Sequence, residues 1–299
     1  LAADPRALDP AFFDDGESAI VACNIHEGLY RFGEKDATVE PCLATDLPEI
    51  SDDGLVYTIK LREGVKFHDG TEMTVEDVKA SLEWAKTFPE VSLYNNDIVS
   101  VDIVDDTTVQ ITTDGPDAML LNNLCHHGNA IVPKALIDAG HDFNTEPIGT
   151  GPYQFVEWNR GDSIVFEAFE DYFKGAPAIK KMTWKVIPEG SSRTIALEAG
   201  EVDFVVEVEG MDADRLKENP DMELIQYEAT SELWLMMNNE KPQFQNQNVR
   251  HAINSAINKE DLVTVAYNGL ATPAISQCPM NFAGATEENA DVYDVAKAQ

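Results

Sequence analysis

The chain has 299 residues, 43% hydrophobic and 25% charged, an ordinary globular composition at a length that suggests about two domains. It contains no apolar run of 18 residues, the length a membrane-spanning helix needs. Acids outnumber Lys and Arg by 54 to 21, for a net charge of −33. Such a field repels nucleic acid and anionic membrane surfaces, which excludes both as partners. The acids are spread along the chain, which favours solubility as their role over attraction of a cationic ligand.

In chain order, residues 56–61 (VYTIKL) alternate and carry β-branched side chains, predicting a half-buried strand. His68-Asp69-Gly70 is a turn signal, and Thr74-x-x-Asp77 resembles a capping box that opens a helix through about Lys86. Residues 109–112 predict a strand. Residues 134–139 predict a short helix set between Pro133 and Gly140. Residues 153–158 and 164–169 read as a strand pair broken by Arg160-Gly161-Asp162, with a further strand at 182–186. A helix over 191–199 stops at Gly200.

Strands are then predicted at 202–208, 222–227 and 232–238. In the last of these, Trp234, Met236 and Asn238 share one face, and the strand is expected to be covered on both faces. Val249, Ala252, Ile253, Ala256 and Ile257 mark one side of an amphipathic helix. A second helix runs over 259–267 to a stop at Asn268-Gly269. Residues 271–290 are turn-rich, and 292–299 read as the start of a helix, so the chain is expected to end inside a domain.

The cysteines are Cys23, Cys42, Cys125 and Cys278, without CxxC or Cys/His finger spacing, which argues against structural zinc. Their pairing stays open: disulfides suit an exported protein, and buried thiols suit the spacing equally. There is no Gly-x-Ser-x-Gly elbow and no His-Glu-x-x-His, so no hydrolytic centre is legible and the chain is not expected to be an enzyme.

Four stretches, in order, resemble the dipeptide/oligopeptide/nickel family of ABC solute-binding proteins. The first is Leu8-Asp9-Pro10 with Asn24-Ile25-His26-Glu27-Gly28-Leu29-Tyr30. The second is Leu61-Arg62-Glu63-Gly64-Val65-Lys66-Phe67-His68-Asp69-Gly70-Thr71, continuing through Thr74 to Val78. The third is Gly149-Thr150-Gly151-Pro152-Tyr153 with Phe155 and Trp158. The fourth is Val249-Arg250-His251-Ala252-Ile253-Asn254 with Ile257-Asn258-Lys259-Glu260. The third reads physically as a tight crossing where bulky side chains would clash. A phosphate loop is excluded there, because the Walker lysine is absent and Pro152 breaks any helix that would follow.

The resemblance implies an α/β, two-lobed clamshell with mixed sheets. Residues 1–42 and 148–230 would form domain I, residues 43–147 an inserted domain II, and residues 231–299 the incomplete start of domain III. It also implies an extracytoplasmic, periplasmic or lipid-anchored binding component. That component would capture a small peptide and deliver it to ABC permease subunits as a monomer, without a cofactor. A nickel, metal-chelate or oligosaccharide ligand and a peptide-presenting sensor are the alternatives.

By resemblance, the loop Phe13, Asp14, Asp15 and Gly16 faces the cleft, where Asp14 or Asp15 would meet a peptide amine. Trp234 would pack on ligand, and His126 would line the cleft. His126 and His127 precede an expected strand end, where neighbours point to opposite faces, so the pair is not assigned as metal ligands. His68 is assigned a structural role.

Overall fold

The computed structural model describes residues 1–33, 38–227, 231–276, 286–288 and 291–299. They form two compact units, Leu1–Pro188 and Glu189–Gln299. The fold is mixed α/β, as the sequence implies.

In the first unit, helix α1 is Gly16–Ala22, and strands β1 (Tyr30–Phe32) and β2 (Val39–Pro41) form a small antiparallel pair. Strands β3 (Glu49–Ile50), β4 (Val56–Lys60), β5 (Ile98–Asp105) and β6 (Thr108–Thr113) make an antiparallel sheet in the order β3-β4-β6-β5. Helix α2 (Val75–Ala85) follows β4, and helices α3 (Leu120–Leu124) and α4 (Lys134–Asp138) follow β6. Tyr57 and Ile59 of β4, Val109 and Ile111 of β6, and Val78 and Leu82 of α2 share one buried cluster. Each such side chain contributes about 1.5–3 kcal/mol by leaving water.

Asp77 accepts the Thr74 N–H at 2.8 Å and the Lys134 N–H at 2.7 Å. One carboxylate thus serves the N-terminal ends of both α2 and α4. The short Asp can stand where a capping box usually has Glu or Gln because Thr74 Oγ1 also donates to it, at 2.7 Å.

Strands β7 (Tyr153–Asn159), β8 (Ser163–Ala168) and β9 (Lys181–Lys185) form a second antiparallel sheet with β8 central. Ile164 and Phe166 of β8 bury against Leu1, Leu8, Val21 and Ile25. The first residues of the chain therefore share a core with a strand that lies far along the sequence.

The crossing expected at Gly149-Thr150-Gly151 is present. A Cβ on Gly149 would lie 2.2 Å from the Ile25 carbonyl oxygen, and one on Gly151 would lie 2.7 Å from the Asn24 oxygen. The Gly151 N–H donates to Ile25 O at 2.8 Å, and the His68 N–H donates to Gly149 O at 2.9 Å. His68 Nε2 donates to Gly151 O at 2.9 Å, while Nδ1 faces the Gly149 N–H at 3.4 Å. The imidazole is therefore held neutral, and burial pushes its pKa down to about 4.

Beside the crossing, the Glu27 carboxylate accepts from Tyr172 OH at 2.7 Å and Lys174 Nζ at 2.9 Å, with Cys42 Sγ at 3.4 Å. Burial first, then the Glu27 charge, pushes the Cys42 thiol up to about 12. Cys23, Cys42 and Cys125 are thiols, not disulfides; Cys278 lies outside the described residues.

The second unit contains helices α5 (Gly190–Glu198), α6 (Gly210–Glu218), α7 (Pro242–Gln245), α8 (Gln247–Ala256), α9 (Lys259–Tyr267) and α10 (Val295–Ala298). Asn268 ends α9 at φ +50° and Gly269 follows at φ +78°, a left-handed stop that the Asn-Gly pair accommodates. Asp291 joins α8 to α10, accepting from His251 Nδ1 at 2.6 Å and Lys297 Nζ at 3.0 Å.

The strands expected at 202–208, 222–227 and 232–238 are not formed among the described residues of this unit. Leu233, Trp234, Leu235 and Met236 are exposed, so the expectation of two covered faces does not hold either. Alternation gives a strand its pattern, but the ladder also needs a partner backbone, and these segments have none among the described residues.

The tightness of the crossing is open to mutation. Gly149→Ala should cost about 1–3 kcal/mol, because the new Cβ meets backbone that cannot move aside. Gly16→Ala, whose Cβ would meet nothing within 4 Å, should stay within about 0.5 kcal/mol of the parent in urea unfolding. Stability should also respond to pH through His68. Its pKa is lower folded than unfolded, so the unfolded chain binds more protons between about pH 6.5 and pH 4. The stabilising effect is complete above pH 6.5 and is lost as pH falls toward 4, on the order of 3 kcal/mol in all. Urea midpoints at pH 7 and pH 5 should show His68→Gln less stable at pH 7 and less sensitive to the acid step than the parent.

Candidate functional site

The loop before α1 is pinned at its start. Leu8 and Asp9 donate their N–H groups to Asn144 Oδ1 at 3.2 Å each, and Asp9 Oδ1 accepts the Ala11 N–H at 3.0 Å. It is pinned at its end by Asp15, the N-cap of α1, which accepts from Ser18 N and Ser18 Oγ at 2.9 Å each. Gly16 is the first residue of the helix. Of the four loop residues singled out from sequence, Asp15 and Gly16 thus carry the helix start. Phe13 is fully buried and Asp14 is exposed.

Phe13 is buried against a histidine. Its ring stacks on His127, with centroids 4.3 Å apart and 11° between planes, and its carbonyl oxygen accepts from His127 Nε2 at 3.0 Å. His127 in turn lies 3.9 Å from the His126 ring, which stacks on Tyr94 at 3.8 Å. Four rings form one column, Phe13, His127, His126 and Tyr94. His126 Nδ1 accepts the Gly128 N–H at 3.1 Å, and His126 Nε2 lies 3.6 Å from Asp14 Oδ1.

The two histidines depart from the expected geometry. They do not sit on a strand with opposed side chains. They lie where α3 gives way to a single 3-10 turn, His127–Asn129, and both rings turn to the same side. Gly128 lets the turn pack closely: a Cβ there would lie 2.6 Å from the Val91 side chain. Burial, reinforced by the neighbouring His127, pushes His126 down to about 4, with Asp14 pulling the other way. Burial also lowers His127. Both shifts favour the neutral ring.

Asp14, His126 and His127 each offer one donor atom within 4.8 Å of the others. The sequence points to Asp14 and His126 separately but not to their meeting, and it singles out neither Tyr94 nor Gly128. An adjacent His pair next to Gly is the signal present, and only the turn it makes brings it to Asp14. Trp234 lies in the second unit, half exposed.

Over 298 residues the chain is 37% identical to the glutathione-binding protein GsiB of Salmonella paratyphi A, covering 98% of this chain and 58% of that protein. The periplasmic binding protein DppA of Helicobacter pylori, solved in complex with the peptide STSA, matches with a TM-score of 0.88 at 32% identity. That match covers 99% of this chain and 63% of DppA. NikZ of Campylobacter jejuni, solved in complex with Ni(L-His), matches at TM-score 0.85 and 28% identity over 100% of this chain and 60% of NikZ. The chain therefore spans little more than half the length of the curated relatives it matches. Residues 38–299 match the family described as bacterial extracellular solute-binding proteins, family 5 Middle, and the chain belongs to that family.

Proposed function

We propose that this chain is the greater part of the extracytoplasmic binding component of an ABC importer, and that the whole protein captures peptides and hands them to the membrane permease. The observation that carries the reading is the likeness to DppA, a protein solved with a peptide bound, at 32% identity and TM-score 0.88. Similarity to a glutathione-binding protein, across nearly the whole chain, supports a short peptide. Binding of this kind needs no bond-making: a ligand that touches both lobes of a clamshell stabilises the closed form. The matched family is one of solute-binding proteins, which supports binding without catalysis. No helix among the described residues is long and apolar enough to cross a membrane.

The domain division proposed is the discontinuous one, with residues 1–42 and 148–230 as domain I, 43–147 as domain II and 231–299 as the start of domain III. The core shared by Leu8, Ile25 and Phe166 supports joining the two parts of domain I. Asp14 is the proposed partner of a ligand amine. It is exposed, and the hydrogen bonds that secure the loop fall on Asp9 and Asp15 instead. Trp234 is the proposed apolar contact. A metal chelate is the second reading, favoured by the likeness to NikZ with Ni(L-His).

Thermal unfolding tests the reading. Glutathione, a dipeptide and a tetrapeptide are added in the presence of a chelator, to this chain and to the protein at the length its gene encodes. Binding to the native state raises Tm by mass action, by about 2.7 kcal/mol of stabilisation at 100 times Kd. A rise with one peptide class is expected in the gene-length protein, and Asp14→Asn should weaken that binding roughly tenfold, the loss of one charge-assisted contact. No rise with any peptide, together with a rise on adding a nickel–histidine complex without chelator, would replace the first reading by the second.

A further inference from the structure

We propose that Asp14, His126 and His127 form a binding site for a divalent transition-metal ion of the Ni²⁺, Cu²⁺ and Zn²⁺ class, held by the protein's own side chains. The donors are two imidazoles and a carboxylate, within 4.8 Å of one another. A metal with bonds of about 2.0–2.2 Å needs its donors roughly 3–4 Å apart. Asp14 is exposed, and its carboxylate already faces His126 Nε2 at 3.6 Å. Nitrogen donors select this class over Mg²⁺ and Ca²⁺, which prefer all-oxygen sites.

The rings are prepared for the task. His127 donates from Nε2 to the Phe13 carbonyl, which leaves Nδ1 with its lone pair. An outward N–H bond of this kind fixes the tautomer of metal-binding histidines. Stacking on Phe13 and Tyr94 fixes both ring planes before any ion arrives.

His126 makes one adjustment. Its Nδ1 accepts from Gly128 N, so Nε2 carries the proton that faces Asp14. On coordination through Nε2 that proton moves to Nδ1, and the Gly128 N–H gives up its acceptor. Metal binding is thereby tied to the turn at residues 127–129.

Metal and peptide binding are measured separately, because the metal assay contains no peptide and the peptide assay contains a chelator. Ni²⁺ and Zn²⁺ are titrated one at a time into the metal-free 299-residue chain at pH 7 by calorimetry. Saturable one-to-one binding is expected, unaffected by millimolar Mg²⁺. Asp14→Asn and His126→Gln should each weaken it roughly tenfold or more. Absence of saturable uptake overturns the proposal. So does uptake that either folded variant leaves unchanged, which would place the ion elsewhere, for example at His251 and Asp291. If His126→Gln fails to fold, as judged by circular dichroism, the exposed Asp14→Asn variant decides alone.

Discussion

The close backbone crossing at Gly149-Thr150-Gly151 is the constraint on which the first unit depends. Two carbonyls, of Asn24 and Ile25, approach to distances that leave no room for a Cβ, and the contact is sealed by hydrogen bonds from Gly151 and Tyr153 to that same segment. His68 closes it from the other side, as donor to Gly151 O and acceptor from Gly149 N. Three of the four stretches that mark the family therefore meet at one point. Their shared composition reflects a packing requirement, and none of them has to touch a ligand.

The frame also places the ring column. Leu8 and Asp9 are held by Asn144, a few residues before the crossing, and His26 Nε2 lies 3.2 Å from Leu8 O. With that end fixed and Asp15 capping α1, the intervening loop has little freedom. Phe13 goes into the core and Asp14 goes out. The partition of two neighbouring residues between packing and solvent creates an exposed carboxylate beside two imidazoles. In a chain of net charge −33, such a carboxylate attracts cations, whether a ligand amine or a metal ion.

The second unit behaves differently. Its helices are secured by local devices: the Asp291 link between α8 and α10, and the left-handed stop after α9. The alternating segment around Trp234 presents large apolar side chains to solvent. An alternating strand gains from burial only when a ladder partner and a covering layer are present.

Much of the fold is legible in the sequence. The alternation at 56–61, the strand pair around Arg160-Gly161-Asp162, the Thr74–Asp77 cap and the helices at 191–199 and 259–267 all appear close to their expected bounds, because period, cap and turn chemistry are local. The glycine crossing is legible too, since two glycines flanking a threonine before a proline favour close backbone approach over helix or strand. What sequence does not supply is the partner of each element. The segments at 202–208, 222–227 and 232–238 have the pattern without the ladder, and α1 stays hidden because Asp15 and Gly16 read as loop. Asp14 meets His126 and His127 although they lie far apart in the sequence. The expectation that adjacent histidines diverge comes from a strand geometry that the turn at Gly128 replaces. Local chemistry is written in local sequence; which side chains share a site is decided only when the tertiary structure closes the distance between them.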